Sequence, residues 1–282
     1  MTRAMDRDGW GKAVFFSRWL WGVLSAFIIF LVIILFGFSL WLLVLIILLP
    51  LFLIAITWAY ILSLQPLPVP LGAEPETRGV THNWLAPYYD GLCGMCGIGK
   101  SFHNRILAIS ALQPGEHVLD AGCGTGALTR QAAAIVGRNG LAWGIDPAPD
   151  MIRVAQQRPG SAANTAQFRM AAIENLPFEA GSFDVVIINL LLHCLPLDVK
   201  QFGLRAVHKI LRPGGRIIVA DFDLPRNPVM RFLVRRVLRH PFMTEHLEGR
   251  TVDLLRDAGF VQINATALSY GLFTCWTAKR VQ

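Results

Sequence analysis

The run VLDAGCGTG, Val118 to Gly126, constrains the fold of this chain more than any other stretch. Val118 and Leu119 are apolar, as a buried strand requires, and Asp120 stands where that strand meets a loop. Gly122, Gly124 and Gly126 let the backbone turn sharply and approach a ligand closely. The spacing is GxGxG, with Ala127 where a dinucleotide-binding GxGxxG places its third glycine, which argues against NAD and FAD. A plain strand-to-helix turn uses the same residues, so the loop alone does not decide between a ligand site and a turn.

The residues after the loop do more. ALTRQAAAIV (Ala127 to Val136) reads as a helix closed by Gly137 to Gly140, and Leu141 to Ile145 reads as a short strand ending at Asp146. A carboxylate at this second strand end can accept from both hydroxyls of a ribose. SFDVVIIN (Ser182 to Asn189) is a buried type of strand, and LRPGGRIIVADF (Leu211 to Phe222) reads as a helix end, a Pro-Gly-Gly turn and another strand. Strands alternating with helices at this spacing predict βαβ units and a parallel sheet covered on both faces.

Taken in order, VLDAGCGTG, GIDPAPDM, ENLPFEAGSFDVV and LRPGGRIIVADF resemble a class I S-adenosylmethionine-dependent methyltransferase, in particular the ubiquinone/menaquinone C-methyltransferase-like group. The resemblance spans Tyr88 to Lys279. It implies an α/β fold with a Rossmann-like, seven-stranded, mostly parallel sheet, whose last two strands are Phe260 to Ala267 and Thr274 to Arg280. It also implies S-adenosylmethionine as cofactor. Residues matching Asp120, Gly122, Gly124 and Gly126 would hold its methionine part and Asp146 its ribose, with Asn189 among the cofactor-binding positions. The family carries an acidic residue two positions before the Glu of the segment matching ENLPF, for the adenine amino group; here that position is Ala172. Adenine then falls to the backbone around Ala172 and Ile173, to apolar stacking or to Glu174, and a weakened or lost cofactor site is the alternative.

No charged residue occurs from Trp19 to Leu64. A bilayer crossing takes about 20 apolar residues, so this run suffices for two crossings, and it exceeds the apolar core of a cleavable signal peptide. The expectation is an α-helical transmembrane hairpin preceding the α/β domain: Trp19 to Phe36, a turn at Gly37 to Ser39, then Leu40 to Leu62. Trp19, Trp21, Trp58 and Tyr60 would meet at one interface and Trp41 at the other. Arg3, Arg7, Lys12 and Arg18 place the N-terminus, and after two crossings the catalytic domain, on the cytoplasmic side of a membrane. A single kinked or re-entrant helix is the other reading. The domains are therefore 1–18 (basic N-terminus), 19–64 (hairpin), 65–79 (Pro-rich linker) and 80–282 (methyltransferase).

The net charge of +7 comes partly from that N-terminal arm and partly from RNPVMRFLVRRVLRH, Arg226 to His240. It carries Arg226, Arg231, Arg235, Arg236 and Arg239 without an acid, interleaved with apolar residues at helical spacing. Such a helix suits an anionic membrane surface or a solvated cationic face. The lipid bilayer is the expected partner and nucleic acid is not.

Five cysteines, an odd number, argue against a disulfide framework. Cys93 and Cys96 form a CxxC, but neither a second CxxC nor a paired HxxxH completes a zinc site, so no metal is expected. Through the same resemblance, YYDGLCGMCGIGKSF matches a helical cap opened by a Tyr-Asp pair, which places Tyr89 beside the sulfonium end of the cofactor. Cys93, Cys96 and Cys194 are candidates for a soft acceptor such as arsenite. His193 follows the fourth strand, at the sheet end where ligands bind, and is the candidate general base or acceptor-orienting group; a histidine merely packed at a strand end is the competing reading. His103 in the cap is a weaker candidate. Three functions are open: a tethered methyltransferase for a lipophilic acceptor such as a quinone precursor or phospholipid, one for a small soluble or soft acceptor, and a non-catalytic scaffold or cofactor sensor. The acceptor and the oligomeric state are not legible.

Overall fold

A computed structural model describes residues 77–158, 166–225, 227–237, 241–268 and 271–281, together with Ile28, Phe30, Leu48 and Leu49, which are helical. The chain divides into two units, Met1–Leu62 and Ser63–Gln282, and the second carries the fold described here. Apart from those four residues, the predicted hairpin lies outside the described residues, as does the basic N-terminus. Among the described residues no helix is long and apolar enough to cross a membrane.

Seven strands form one sheet: β1 (His117–Ala121), β2 (Leu141–Asp146), β3 (Ala166–Met170), β4 (Phe183–Asn189), β5 (Leu211–Phe222), β6 (Val261–Ala267) and β7 (Phe273–Lys279), in the order β3-β2-β1-β4-β5-β7-β6. β1 to β5 are parallel, and β7 runs antiparallel between β5 and β6. The apolar runs have the composition that double coverage demands, since successive residues serve opposite faces. On β4, Val185 and Ile187 pack with Phe102, Ile106 and Leu128, while Val186 and Ile188 pack with Leu204, Val207 and Leu254. Helices α1 (Tyr89–Met95) and α2 (Lys100–Ser110) precede the sheet, and α3 (Ala127–Val136), α4 (Pro149–Gln157) and α5 (Leu197–Ile210) connect its parallel strands. After β5 come α6 (Pro228–Val237), the short α7 (Thr244–Leu247) and α8 (Thr251–Asp257).

The predicted Pro-Gly-Gly turn is absorbed into β5, which starts directly after α5. Leu211 pairs with Phe183 and Arg216 with Val185, so four residues of β5 bulge opposite Asp184. The Asp184 carboxylate accepts from Arg212 Nη1 at 2.5 and 2.6 Å, which holds the bulge. α6 forms inside the basic segment, with Val229 and Phe232 exposed and Val234 buried. Strand order reverses between β1 and β4, and in open α/β sheets the crevice at that reversal is where ligands bind.

Candidate active site at the carboxyl edge of the sheet

The loop after β1 is shaped by backbone that other residues adopt poorly. Gly126 has φ +74°, and a Cβ there would overlap the Phe168 ring, so only glycine fits. Gly122 and Cys123 donate their N–H groups to Ile145 O at 2.8 and 2.9 Å, tying the loop to β2. The guanidinium of Arg130 donates to Thr125 O (3.2 Å) and Gly126 O (3.1 Å) and lies over the Phe168 ring. The loop is thus fixed from both sides before any ligand arrives.

Two carboxylates face this loop. Asp120 is buried; its Oδ2 accepts from Thr129 Oγ1 at 2.6 Å, while its Oδ1 has no partner. Burial, reinforced by the Asp146 charge, pushes its pKa up to about 7 against the Thr129 hydrogen bond. Asp146 accepts from Gly124 N (3.0 Å, Oδ2) and Ala148 N (2.9 Å, Oδ1), and burial still raises it to about 6. Asp120 lines a cavity of about 300 Å³ with Tyr89, Cys93, Gly124, Gln131 and Asn189. Asp146 lines a smaller, adjoining cavity of about 50 Å³ with His82, Tyr89, Met151 and Cys194. The buried oxygens Asn189 Oδ1 and Gln131 Oε1 also have no partner.

The cap is latched to the loop. Asp90, in the first turn of α1, accepts from Thr125 Oγ1 at 2.5 Å and is ion-paired with Arg158. Asn83 and Asp150 exchange hydrogen bonds at 2.7 and 2.8 Å, seating the chain before α1 on α4. Tyr89 reaches both cavities, and burial, with the neighbouring Cys93, Cys194 and Asp146, holds its phenol well above the ordinary range. Thr77–Gly79, assigned to the linker from sequence, packs on the domain: Arg78 N donates to Glu174 Oε1 at 3.3 Å, Arg78 pairs with Asp198, and Val80 N donates to Cys194 O at 2.9 Å.

Beyond β4 and β5 lies a different arrangement. His193 is buried in a 3-10 turn, Leu192–Cys194. Its Nδ1 stands 2.8 Å from Asp221 Oδ1 at the end of β5, and its ring meets Phe222 edge-on at 4.9 Å. Burial alone would lower this imidazole, but Cys194 and Asp221 overcome it and hold the pKa well above 6.5. Burial opposes ionisation of Asp221 as well, yet His193 and His246 hold it far below its ordinary value. The Asp221 carboxylate thus favours the protonated form of the His193 imidazole.

The chain matches the family described as a methyltransferase domain over residues 112–249. It is 36% identical over 171 residues to the ubiquinone/menaquinone biosynthesis C-methyltransferase UbiE of Ectopseudomonas mendocina, covering 59% of this chain and 65% of that one. A UbiE of a Shewanella species is 26% identical over 219 residues, covering 69% and 86%. Among solved structures, an Aquifex aeolicus SAM-dependent methyltransferase aligns with TM-score 0.53 at 17% identity, over 64% of this chain and 89% of its own. Haemonchus contortus phosphoethanolamine N-methyltransferase 2, solved with S-adenosyl-L-methionine, aligns at 0.51 and 15%, over 66% and 53%. The chain carries a class I S-adenosylmethionine-dependent methyltransferase domain.

The methyltransferase cofactor fits what the site lacks. Asp120 Oδ1 and Asn189 Oδ1 are buried acceptors on the larger cavity that await donors, and the Asp146 oxygens keep lone pairs after two backbone bonds. Asp120, Gly122, Gly124, Asp146, Asn189 and Tyr89, singled out from sequence, all border one or both cavities. Gly126 acts one step back, admitting Phe168. Ala172 and Ile173 differ: both are buried in the interior, Ile173 against Gly203, and neither borders either of these two cavities. His193 also lies outside both linings, although its neighbour Cys194 borders the smaller one. Cys93 borders the larger cavity, with burial pushing its thiol up to about 11, and Cys96 is exposed. Among the described residues no His, Cys, Asp and Glu cluster could hold a metal. His103 stands beside Gln131 on the cavity wall, and burial lowers its pKa.

Sequence reasoning missed Asp90 as a latch and Asp221 as the partner of His193. Asp90 sits in the Tyr-Asp pair that opens the cap, and Asp221 in the VADF end of the fifth strand; only their partners were out of sight.

Proposed function

We propose that this protein methylates a lipophilic acceptor, a quinone precursor or a phospholipid, from a membrane tether formed by the segment Trp19–Leu64. The observation that carries the reading is that uncharged run, joined to a domain similar to UbiE enzymes. A tethered domain meets a bilayer-dissolved acceptor at high local concentration. The basic residues before the run favour the cytoplasmic side for the domain, where S-adenosylmethionine is made.

Asp120, Asp146, Asn189 and the glycine loop would hold the cofactor, which supplies a methyl group activated by its sulfonium. Transfer by in-line displacement asks the protein mainly for positioning. The cap residue Tyr89 forms part of the wall where the acceptor approaches. His193 serves the acceptor: with Nδ1 committed to Asp221, its Nε2 donates to an acceptor oxygen at neutral pH and takes a proton from it at higher pH.

Membranes holding the full chain are to be incubated with methyl-labelled S-adenosylmethionine and then extracted with organic solvent. Label in the lipid fraction that depends on the protein is expected. Label confined to water-soluble products would replace this reading with a soluble acceptor, and no labelled product beside normal cofactor binding would favour a non-catalytic role.

A further inference from the structure

Lys200 lies on α5, where a lysine after the helix start ordinarily faces water, yet its side chain is fully buried. Its Nζ donates to Phe242 O and to Glu245 Oε2, both at 2.6 Å. Both partners belong to the segment after β5, outside the cofactor cavities. Next in that segment is His246, also fully buried, with Nδ1 3.3 Å from Thr251 Oγ1 and Nε2 without a partner. Met243 of the same segment packs with Phe222 and Leu272, and Phe222 is the ring that meets His193 edge-on. The turn Pro241–Met243 packs against the turn that carries His193.

We propose that Lys200 is a positioning residue for His193: it clasps the segment Phe242–His246 over the ends of β4 and β5, and that segment keeps the His193 imidazole on Asp221. A buried ammonium is a costly way to hold a loop. Two well-packed apolar residues would serve stability as well, so folding energy does not account for the pair and geometry does. The segment closes one side of a pocket of charges around His193. Asp221 faces it from β5, Cys194 from its own turn, His82 from the chain before α1, and His246 from α7, with Lys200 and Glu245 behind His246. Opening that side admits water, which screens the Asp221 charge and returns His193 toward its ordinary behaviour. The inference rests on the reading that His193 serves the acceptor.

The test is the His193 titration midpoint, read by NMR on full chain carrying 13C-labelled histidine, with His193→Gln to assign its signal among the seven histidines. Lys200→Met alone strands a buried carboxylate, so the informative variant is Lys200→Met with Glu245→Leu, which removes both charges and keeps volume. The midpoint is expected to fall by about one unit or more toward 6.5 in a variant that still binds S-adenosylmethionine. An unchanged midpoint in that folded variant overturns the proposal and leaves Lys200 a structural residue. Glu245→Gln keeps an acceptor for Nζ without the charge. Positioning predicts a midpoint within a few tenths of the parent, whereas a fall as large as in the double variant overturns it in favour of a charge effect. If the double variant does not fold, a fall of about one unit or more in Glu245→Gln overturns the proposal by itself. Full methyl transfer by His193→Gln would instead remove the acceptor role of His193, whatever the midpoints show.

Discussion

The two halves of the sheet's carboxyl edge solve the problem of buried charge in opposite ways. Beyond β1 and β2, Asp120 and Asp146 stand close enough to repel, their pKa values are raised to about 7 and about 6, and acceptor oxygens on the cavity wall lack donors. Beyond β4 and β5 the ions come in pairs, His193 with Asp221 and Lys200 with Glu245, each at hydrogen-bond distance. Burial of an unpaired acceptor is unfavourable, and a fold keeps one where a ligand completes it. The first half is therefore suited to a cationic, hydroxyl-bearing cofactor, whereas in the second the buried charges are already paired within the protein.

The largest expected effect tests the incomplete half directly. Asp146→Ala should weaken S-adenosylmethionine binding by about a hundredfold or more, because two hydrogen bonds to a charged group, about 1.5–3 kcal/mol each, are lost. Calorimetric titration of the full chain measures it, with circular dichroism to show that the fold persists. Binding that survives the substitution would break the contrast, since Asp146 would then serve only Gly124 and Ala148.

That the first half could be read from sequence and the second could not has a physical reason. A ligand loop is local: strand, Asp120, three glycines and helix fall within one stretch, and Asp146 follows at the next strand end. The apolar strands β1, β2 and β4 are legible for the same reason, while the last two, implied by the family resemblance, begin and end within one residue of expectation. Pairing is non-local. Asp221 lies 28 residues from His193 and Glu245 lies 45 from Lys200, distances that no periodicity spans. Lys200 shows the point best, because a lysine on an amphipathic helix reads as solvent-facing until the segment that covers it is in place. The burial of Ala172 and Ile173 depends on distant partners such as Gly203 and was out of reach for the same reason.

Proton linkage sharpens the comparison. In the free protein the Asp120 and Asp146 carboxyls are partly protonated between pH 5.5 and 7.5, because burial raises both above the ordinary 3.8. A cationic, hydrogen-bond-donating cofactor favours the ionised forms, so binding releases protons and tightens as pH rises, levelling off above about pH 7.5. The paired half adds no slope there. Asp221, held low, stays ionised until pH falls far below 3.8, and His193, held high, stays protonated until pH rises well past 6.5. Affinity should improve by up to about a hundredfold from pH 5.5 to 7.5, with proton release visible as a dependence of the calorimetric heat on buffer ionisation enthalpy. A flat profile would mean that both carboxylates are already ionised without ligand, and the two halves would then differ in packing but not in charge.

The smallest effect concerns the latch between cap and loop. Thr125→Val removes the hydroxyl that donates to Asp90 at 2.5 Å and keeps the side-chain shape. Asp90 retains Arg158, so the cap stays attached by its ion pair. One hydrogen bond to a charged acceptor contributes about 1.5–3 kcal/mol at most when buried, and less here because Asp90 is partly exposed. About a fivefold loss of cofactor affinity is expected, corresponding to about 1 kcal/mol. The division of that loss carries the information. If the latch matters chiefly to the bound state, the free protein gives up little thermal stability, because Arg158 and the Asn83–Asp150 hydrogen bonds still hold the cap. Differential scanning with and without S-adenosylmethionine separates the cases: a drop in melting temperature seen mainly in the bound protein supports a cap completed by ligand. An equal drop in both states would show that the cap is as finished as the acceptor side.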